Sequence, residues 1–257
     1  MSATPDPTHA ATGVPATAGE QVLRVIETFG PTVQGEGALV GRAAYFLRLA
    51  GCNLTCVWCD TPFAWDATRS DHRRPETAVT VERVLEDFTT RSAAVDTCVR
   101  HLVITGGEPL LQREALALLC VRLRDRGWTV EVETSGTVSP GRLTELVDQF
   151  NVSPKLTHSG VDERARIRLA VLDEFAANPR AVFKFVVQQA PDILETAALL
   201  DRLSRIVEPS RVFVMAEGID AQTVLERSRA LVDDVVARGW GLTPRWHTLL
   251  WGDERGR

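Results

Sequence analysis

The stretch Arg48-Leu49-Ala50-Gly51-Cys52-Asn53-Leu54-Thr55-Cys56-Val57-Trp58-Cys59-Asp60-Thr61 sets three of the chain's five cysteines within eight residues. Thiolates spaced four and three residues apart can converge on one inorganic centre. A structural tetrahedral zinc site needs a fourth protein ligand, whereas an iron–sulfur cube held by three cysteines leaves one iron open to a ligand that is not protein. On spacing alone the cube, zinc and unligated core cysteines all remain readings of this loop.

Working outward, residues 43–49 predict a strand with Tyr45, Leu47 and Leu49 on one face and Ala44, Phe46 and Arg48 on the other. Arg48 therefore stands at the C-terminal end, just before the cysteine loop. Parallel α/β barrels carry their chemistry at that end, and a guanidinium there offers a fork of donors suited to a carboxylate. The plainer reading is a surface ion pair. Upstream, residues 22–29 form a mixed apolar stretch that runs into a glycine-dense loop, Gly30-Pro31-Thr32-Val33-Gln34-Gly35-Glu36-Gly37. Glycines let a backbone approach a ligand closely, but a mere turn has the same composition.

Downstream, residues 71–75 are polar and expected to be exposed, and Thr80 opens a helix with Val81, Val84, Leu85 and Phe88 at helical spacing. A second strand at 101–105 leads into Gly106-Gly107-Glu108-Pro109. The helix after it has Leu116, Leu119, Cys120 and Leu123 on one apolar face. Cys120, and by the same reasoning Cys98, reads as core rather than ligand. Further strands are expected at 128–134, 150–152, 182–187 and 211–216, with apolar-faced segments between them, clearest at 164–175, 193–206 and 221–237. Alternating strands and helices argue for a parallel sheet. Six strands make an α/β incomplete, or partial, parallel β/α barrel open on one side. Thr105, then Glu133, Thr134 and Ser135, then Ser153-Pro154-Lys155, then Glu217 fall at predicted C-terminal strand ends, so the barrel rule groups them around one cup with the cysteines at its lip.

Composition narrows the class. The chain has 257 residues, against roughly 100–200 per domain. Residues 1–20 are rich in Ala, Thr, Pro and Gly and read as a disordered tail, leaving 21–257 as one catalytic domain. A net charge of −5 without a basic stripe speaks against a nucleic-acid partner and for a small substrate. Five cysteines, an odd number with three clustered, fit a reducing compartment rather than a disulfide framework. The first twenty residues carry neither Lys, Arg nor an apolar run, so neither a secretory signal nor a membrane span is expected and the location reads as cytoplasmic.

The Cys-x3-Cys-x2-Cys spacing and the Gly106-Gly107-Glu108-Pro109 loop after a strand resemble the radical S-adenosylmethionine (SAM) enzymes. In those the open iron chelates SAM, and the glycine–glutamate loop holds its methionine amino group. Within them, Gln34-Gly35-Glu36-Gly37, Arg48 four residues before the first cysteine, Cys59-Asp60-Thr61, Glu133-Thr134-Ser135-Gly136 and Ser153-Pro154-Lys155 resemble the 7-carboxy-7-deazaguanine synthase family over roughly residues 24–252. The resemblance implies that 6-carboxy-5,6,7,8-tetrahydropterin is converted to 7-carboxy-7-deazaguanine with loss of ammonia, on the route to queuosine-type 7-deazapurines. It implies a [4Fe-4S] cluster on Cys52, Cys56 and Cys59, SAM as a cofactor regenerated in each turnover, and Mg2+ on the Thr61 hydroxyl. SAM contacts would come from Trp58, Cys59, Asp60, Gly107, Glu108, Ser153, Pro154, Lys155 and Glu217. Val33, Gln34, Gly35, Arg48, Thr105, Glu133 and His247 would contact the substrate, Arg48 at the pterin carboxylate. No catalytic side chain beyond cluster and SAM radical is expected. An electron donor such as flavodoxin or ferredoxin and a homodimer complete the expectation. The segment from Pro244 to Arg257 resembles one variant of the family, while other members differ there, which leaves open what closes the pocket. The rivals are a glycyl-radical-type activating enzyme, which shares the cysteine spacing but acts on a protein, and a non-enzymatic zinc or iron–sulfur regulatory module.

Overall fold

The computed structural model describes residues 21–66, 68, 76–95, 97–252, 254 and 256. The expected tail at 1–20 and the polar stretch at 71–75 lie outside the described residues. Among the described residues nine strands form one sheet: β1 (Val22–Val33), β2 (Ala43–Leu49), β3 (Thr77–Thr80), β4 (His101–Gly106), β5 (Thr129–Thr134), β6 (Gln149–Val152), β7 (Ala181–Val187), β8 (Val212–Ala216) and β9 (Gly241–Thr243). Their spatial order is β3-β1-β2-β4-β5-β6-β7-β8-β9, and the sheet does not close. The helices are α1 (Val81–Ala94), α2 (Arg113–Arg124), α3 (Leu143–Leu146), α4 (Glu163–Arg166), α5 (Leu169–Ala177), α6 (Ala190–Asp201), α7 (Ala221–Ala237) and α8 (Trp246–Trp251).

From β2 through β9 every neighbouring pair is parallel. The six expected strands are β2 and β4 to β8, so the partial barrel stands, but three strands were missed. β9 has three residues, too few for a period-2 pattern to register. β1 and β3 pair antiparallel at the other edge. β1 runs on through Gly30 to Val33, so half of the expected glycine loop is strand. The segment expected as one helix at 164–175 divides into α4 and α5, because Ile167 and Arg168 take extended or bridging backbone angles. The helix expected to reach residue 206 stops at Asp201, and Ile206 is left exposed.

Side-chain alternation decides what faces the helices and what faces the barrel interior. Tyr45, Leu47 and Leu49 are fully buried, and Tyr45 packs against Phe88 of α1 and against Trp128 at ring-centroid distances of 5.8 and 5.6 Å. Phe46 and Arg48 point the other way, Phe46 stacking on Phe29 at 4.8 Å. In β5, Val130 and Val132 join the helix-side core while Glu131 and Glu133 turn inward. In β7 all seven residues are buried, as the both-faces-covered strands of a parallel sheet are, and Lys184 is the sole charge among them. Cys120 is buried in the core of α2, as expected; Cys98 is exposed, which corrects its assignment to the core. Among the described residues no helix is long and apolar enough to cross a membrane.

Candidate active site

The C-terminal ends of the parallel strands surround a cavity of about 300 Å³, at the lower end of ligand-site sizes. Of the residues singled out in the sequence, Val33, Gln34, Gly35, Arg48, Cys52, Cys56, Trp58, Cys59, Asp60, Thr61, Thr105, Gly107, Glu133, Ser153, Lys155 and His247 all line it. Glu108, Pro154 and Glu217 are not among the lining residues. The Glu108 carboxylate is fully buried and accepts from Thr134 Oγ1 at 2.8 Å and from Ser135 N and Oγ at 2.8 and 2.6 Å, so it ties the β4 loop to the β5 loop. The Glu217 carboxylate pairs with Arg227 of α7.

The cysteine loop leaves β2 and is fastened through backbone: Gly51 N donates to Ala64 O at 2.8 Å, Glu108 N to Gly51 O at 2.8 Å, and Cys59 N to Cys56 O at 3.2 Å. Gly107 lies so close that a Cβ there would stand 2.0 Å from Gly51 O and 2.9 Å from Cys52 Cβ. Only glycine lets the two loops touch. Cys52, Cys56 and Cys59 are all free and half-buried on one wall. Leu54 N donates to Cys52 Sγ at 3.4 Å and Trp65 Nε1 to Cys59 Sγ at 3.3 Å. Burial pushes the Cys52 thiol up to about 11 and raises that of Cys56, so iron must displace protons from them. Among the described residues no three His, Cys, Asp or Glu groups already close around one point. The donor set nevertheless fits a cube: three soft thiols of one short loop around one cavity, with an open space where a fourth, non-protein ligand enters. Beside them Lys155 donates to Ser153 O and Oγ, both at 2.9 Å, and its Nζ lies 5.8 Å from the centre of the Trp58 ring.

Arg48 shows both of its readings at once. Its Nε donates to Glu27 Oε1 at 2.7 Å across the β1–β2 pair, and its guanidinium lies 5.9 Å from the ring centres of Phe29 and Phe63. An arginine has five N–H donors, so this ion pair leaves capacity for a ligand in the cavity that Arg48 lines.

Below the rim lies a buried polar system that the sequence reading largely missed. Lys184 Nζ donates to Glu36 Oε2 at 2.5 Å and to Glu133 Oε2 at 2.6 Å. Gln34 Nε2 donates to Glu131 Oε1 at 2.5 Å and to Glu133 Oε1 at 3.2 Å, and Asn151 Nδ2 serves the same two carboxylates. His101 bridges Thr129 Oγ1 at 2.9 Å and Glu131 Oε2 at 3.1 Å. Thr129 Oγ1 donates to Arg100 O and accepts from Arg42 Nη2. Burial acts to raise Glu36, but Lys184, Arg245 and His247 outweigh it and hold this carboxyl well below the usual range. Burial wins at Glu133, which is raised despite Lys184. Lys184 has the opposite balance: burial disfavours its charge, yet Glu133 and Glu36 raise it. A lysine inside an otherwise apolar strand was the signal that could have found this system. Arg245, which meets Asp60 and Glu36, gave none.

The last wall is the C-terminal segment. Trp246 N donates to Gly35 O at 3.0 Å, and a Cβ at Gly35 would stand 2.5 Å from His247 Nδ1. Burial lowers His247, whose Nε2 lies 3.6 Å from Glu36 Oε1.

Comparison with known proteins agrees with this geometry. Residues 47–184 match the model of the radical SAM superfamily. The chain is 38% identical to the 7-carboxy-7-deazaguanine synthase of Pyrobaculum aerophilum over 237 residues, covering 91% of this chain and 97% of that one. It is 35% identical to the 7-carboxy-7-deazaguanine synthase of Hyperthermus butylicus, covering 89% and 93%. The crystal structure of QueE from Escherichia coli superposes with a TM-score of 0.68 at 27% identity, over 88% of this chain and 95% of that one. By sequence and by fold, the chain belongs to the 7-carboxy-7-deazaguanine synthase family of the radical SAM superfamily.

Proposed function

We propose that the protein converts 6-carboxy-5,6,7,8-tetrahydropterin to 7-carboxy-7-deazaguanine and ammonia, with residues 21–257 as its catalytic domain. The observation that carries this reading is the convergence of the three cysteines, Arg48, Thr61 and the Gln34-Gly35-Glu36 loop on one small cavity. Loss of one ammonia balances the atoms of substrate and product, and the conversion involves no net oxidation, so SAM can act as a regenerated cofactor. When bound, the cluster and SAM supply the hydrogen-abstracting radical that starts the conversion.

The chain's own residues bind and orient. Cys52, Cys56 and Cys59 hold the cluster, while Trp58, Asp60, Gly107, Ser153 and Lys155 flank SAM. Glu108 acts indirectly, through the loops it joins. Arg48 takes the pterin carboxylate with the donors that Glu27 leaves, and Gln34 and Glu133 read the ring's polar edge. Phe29, Phe46, Phe63 and Met215 exclude water from the apolar side. The Thr61 hydroxyl, in the same wall as the Asp60 carboxylate, supplies a hard oxygen for magnesium, which binds through oxygen and keeps waters. The reduced cluster requires a one-electron donor of the flavodoxin or ferredoxin type and a reducing compartment, the cytoplasm, and we take the working unit to be a homodimer.

The test is to incubate anaerobically reconstituted protein with the pterin, SAM, magnesium and a reductant. One 7-carboxy-7-deazaguanine and one ammonia per pterin consumed are expected; SAM cleavage without either product would overturn the reading. Arg48→Ala should weaken pterin binding about ten- to a hundredfold, the worth of a hydrogen bond to a charged group. Arg48→Lys should recover part of it, since an ammonium keeps the charge but not the fork.

A further inference from the structure

The Arg245 side chain joins three parts of the cavity wall that are far apart in sequence. Its Nη1 donates to Gly218 O after β8 at 2.7 Å, and its Nη2 to Asp60 Oδ2 on the cysteine loop at 2.5 Å. Its Nε stands 3.5 Å from Glu36 Oε1 on the β1–β2 loop. The residue is only 6% exposed, and Nε lacks a hydrogen-bond partner. A buried cation held in this way is costly unless its counter-charges stay in place. Asp60 and Glu36 are like charges on different loops that both meet this guanidinium, so it replaces repulsion by a bridge. The next two residues extend it: Trp246 N reaches Gly35 O, and the His247 ring lies against Gly35.

We infer that Arg245 is a positioning residue that clamps the cysteine loop to the substrate loop through Asp60 and Glu36. The C-terminal segment thereby sets the distance between the two halves of the site. This rests on the proposed function, in which Asp60 belongs to the SAM side and Gln34-Gly35-Glu36 to the pterin side. Arg245 itself need touch neither ligand. Its planar fork serves two acceptors at fixed angles while its Nε edge faces the Glu36 carboxylate, which a lysine ammonium cannot reproduce. A loosened clamp lets SAM be cleaved while the pterin is out of reach, so the defect belongs in coupling rather than in cluster assembly.

The experiment uses the full chain, anaerobically reconstituted, as wild type, Arg245→Gln, Arg245→Lys and Asp60→Asn. Hydrogen exchange is followed on peptides covering 31–37, 57–66 and 244–251, and in parallel the ratio of 5′-deoxyadenosine to deazaguanine product, with kcat and KM for the pterin. Arg245→Gln is expected to keep its iron, to speed exchange in all three peptides, to raise the ratio and to lower kcat by about tenfold, the low end for loss of a charged hydrogen bond. Arg245→Lys should fall between, and Asp60→Asn should loosen both 57–66 and 244–251. Faster exchange confined to 244–251 with an unchanged ratio would overturn the proposal and leave Arg245 a local anchor. Should the wild type make no deazaguanine, the functional reading falls, while the exchange pattern still decides whether the clamp exists.

Discussion

The cysteine loop and the barrel interior are both parts of one cavity, but they are built on opposite terms. The loop is short and contiguous and is held by backbone hydrogen bonds to Gly51, Ala64 and Cys56, with its cysteines half-buried and Val57 largely in solvent. The interior gathers Gln34, Glu36, Glu131, Glu133, Asn151 and Lys184 from three strands and a loop into a buried ionic lattice. The loop gathers the three thiols that, in the proposed function, would hold the cluster. In the interior, stability depends on the same atoms that the proposed function assigns to substrate recognition.

If that contrast is right, the largest effect on stability comes from Lys184→Met. It leaves two carboxylates buried without their cation, and breaking such a pair costs about 3–5 kcal/mol. Urea unfolding of the metal-free chain measures it, and a loss below about 1 kcal/mol would erase the distinction. Gly107→Ala comes next. Its Cβ has to push back the Gly51 carbonyl, an overpacking of about 1–3 kcal/mol that falls on the cysteine loop. Iron bound per chain should therefore drop more than the melting temperature does. Alanine at Cys52, Cys56 or Cys59 should remove the brown chromophore while changing unfolding by about 1 kcal/mol or less. Alanine at the exposed Cys98 should leave both unchanged. Should a single cysteine variant unfold the barrel, the loop is a structural element after all.

The smallest effect is in acid. Glu36 is held below the ordinary 4.5 of a glutamate, so its contribution is present above that pH and is lost as pH falls through the folded value. Glu133 is raised, so its contribution has the opposite sign: present at low pH and lost as pH rises through its folded value. The two act in adjoining windows, Glu133 above about pH 4.5 and Glu36 below it. Glu133→Gln should therefore remove the share of stability gained as pH falls towards 4.5 and keep the loss below it, as followed by urea midpoints across a pH series.

The same contrast explains what could be read in advance. The superfamily was legible because its signature is written in spacing, three cysteines within eight residues. The six parallel strands were legible through their period of two, and Tyr45, Leu47 and Leu49 do face the helices. The antiparallel edge was not, since β1 carries Gly30 and Pro31 in its course and β3 is four residues long. Glu133 was reached as a strand end and through the family resemblance, but without its partners. Its partners Lys184 and Glu131 are remote in sequence, and no local pattern ties them together. The inward charge of Lys184 within Ala181–Val187 was visible as an anomaly, but its meaning depended on which strands would lie opposite. Cys98 was misassigned because a lone cysteine outside a periodic segment carries no face.

The open side of the barrel is bridged without a strand pair: Trp246 N meets Gly35 O, and Thr243 Oγ1 meets Gly37 O across 206 positions of sequence. That arrangement imposes an order in time. Strands β1 and β2 adjoin in the chain and can pair as soon as both have been synthesised, because short loops close readily. The far wall of the cavity must await synthesis of residues 243–247, a long-range closure of the kind that is slow to form. A nascent chain that stops short of residue 243 can therefore hold most of its sheet and all three cysteines while lacking that wall.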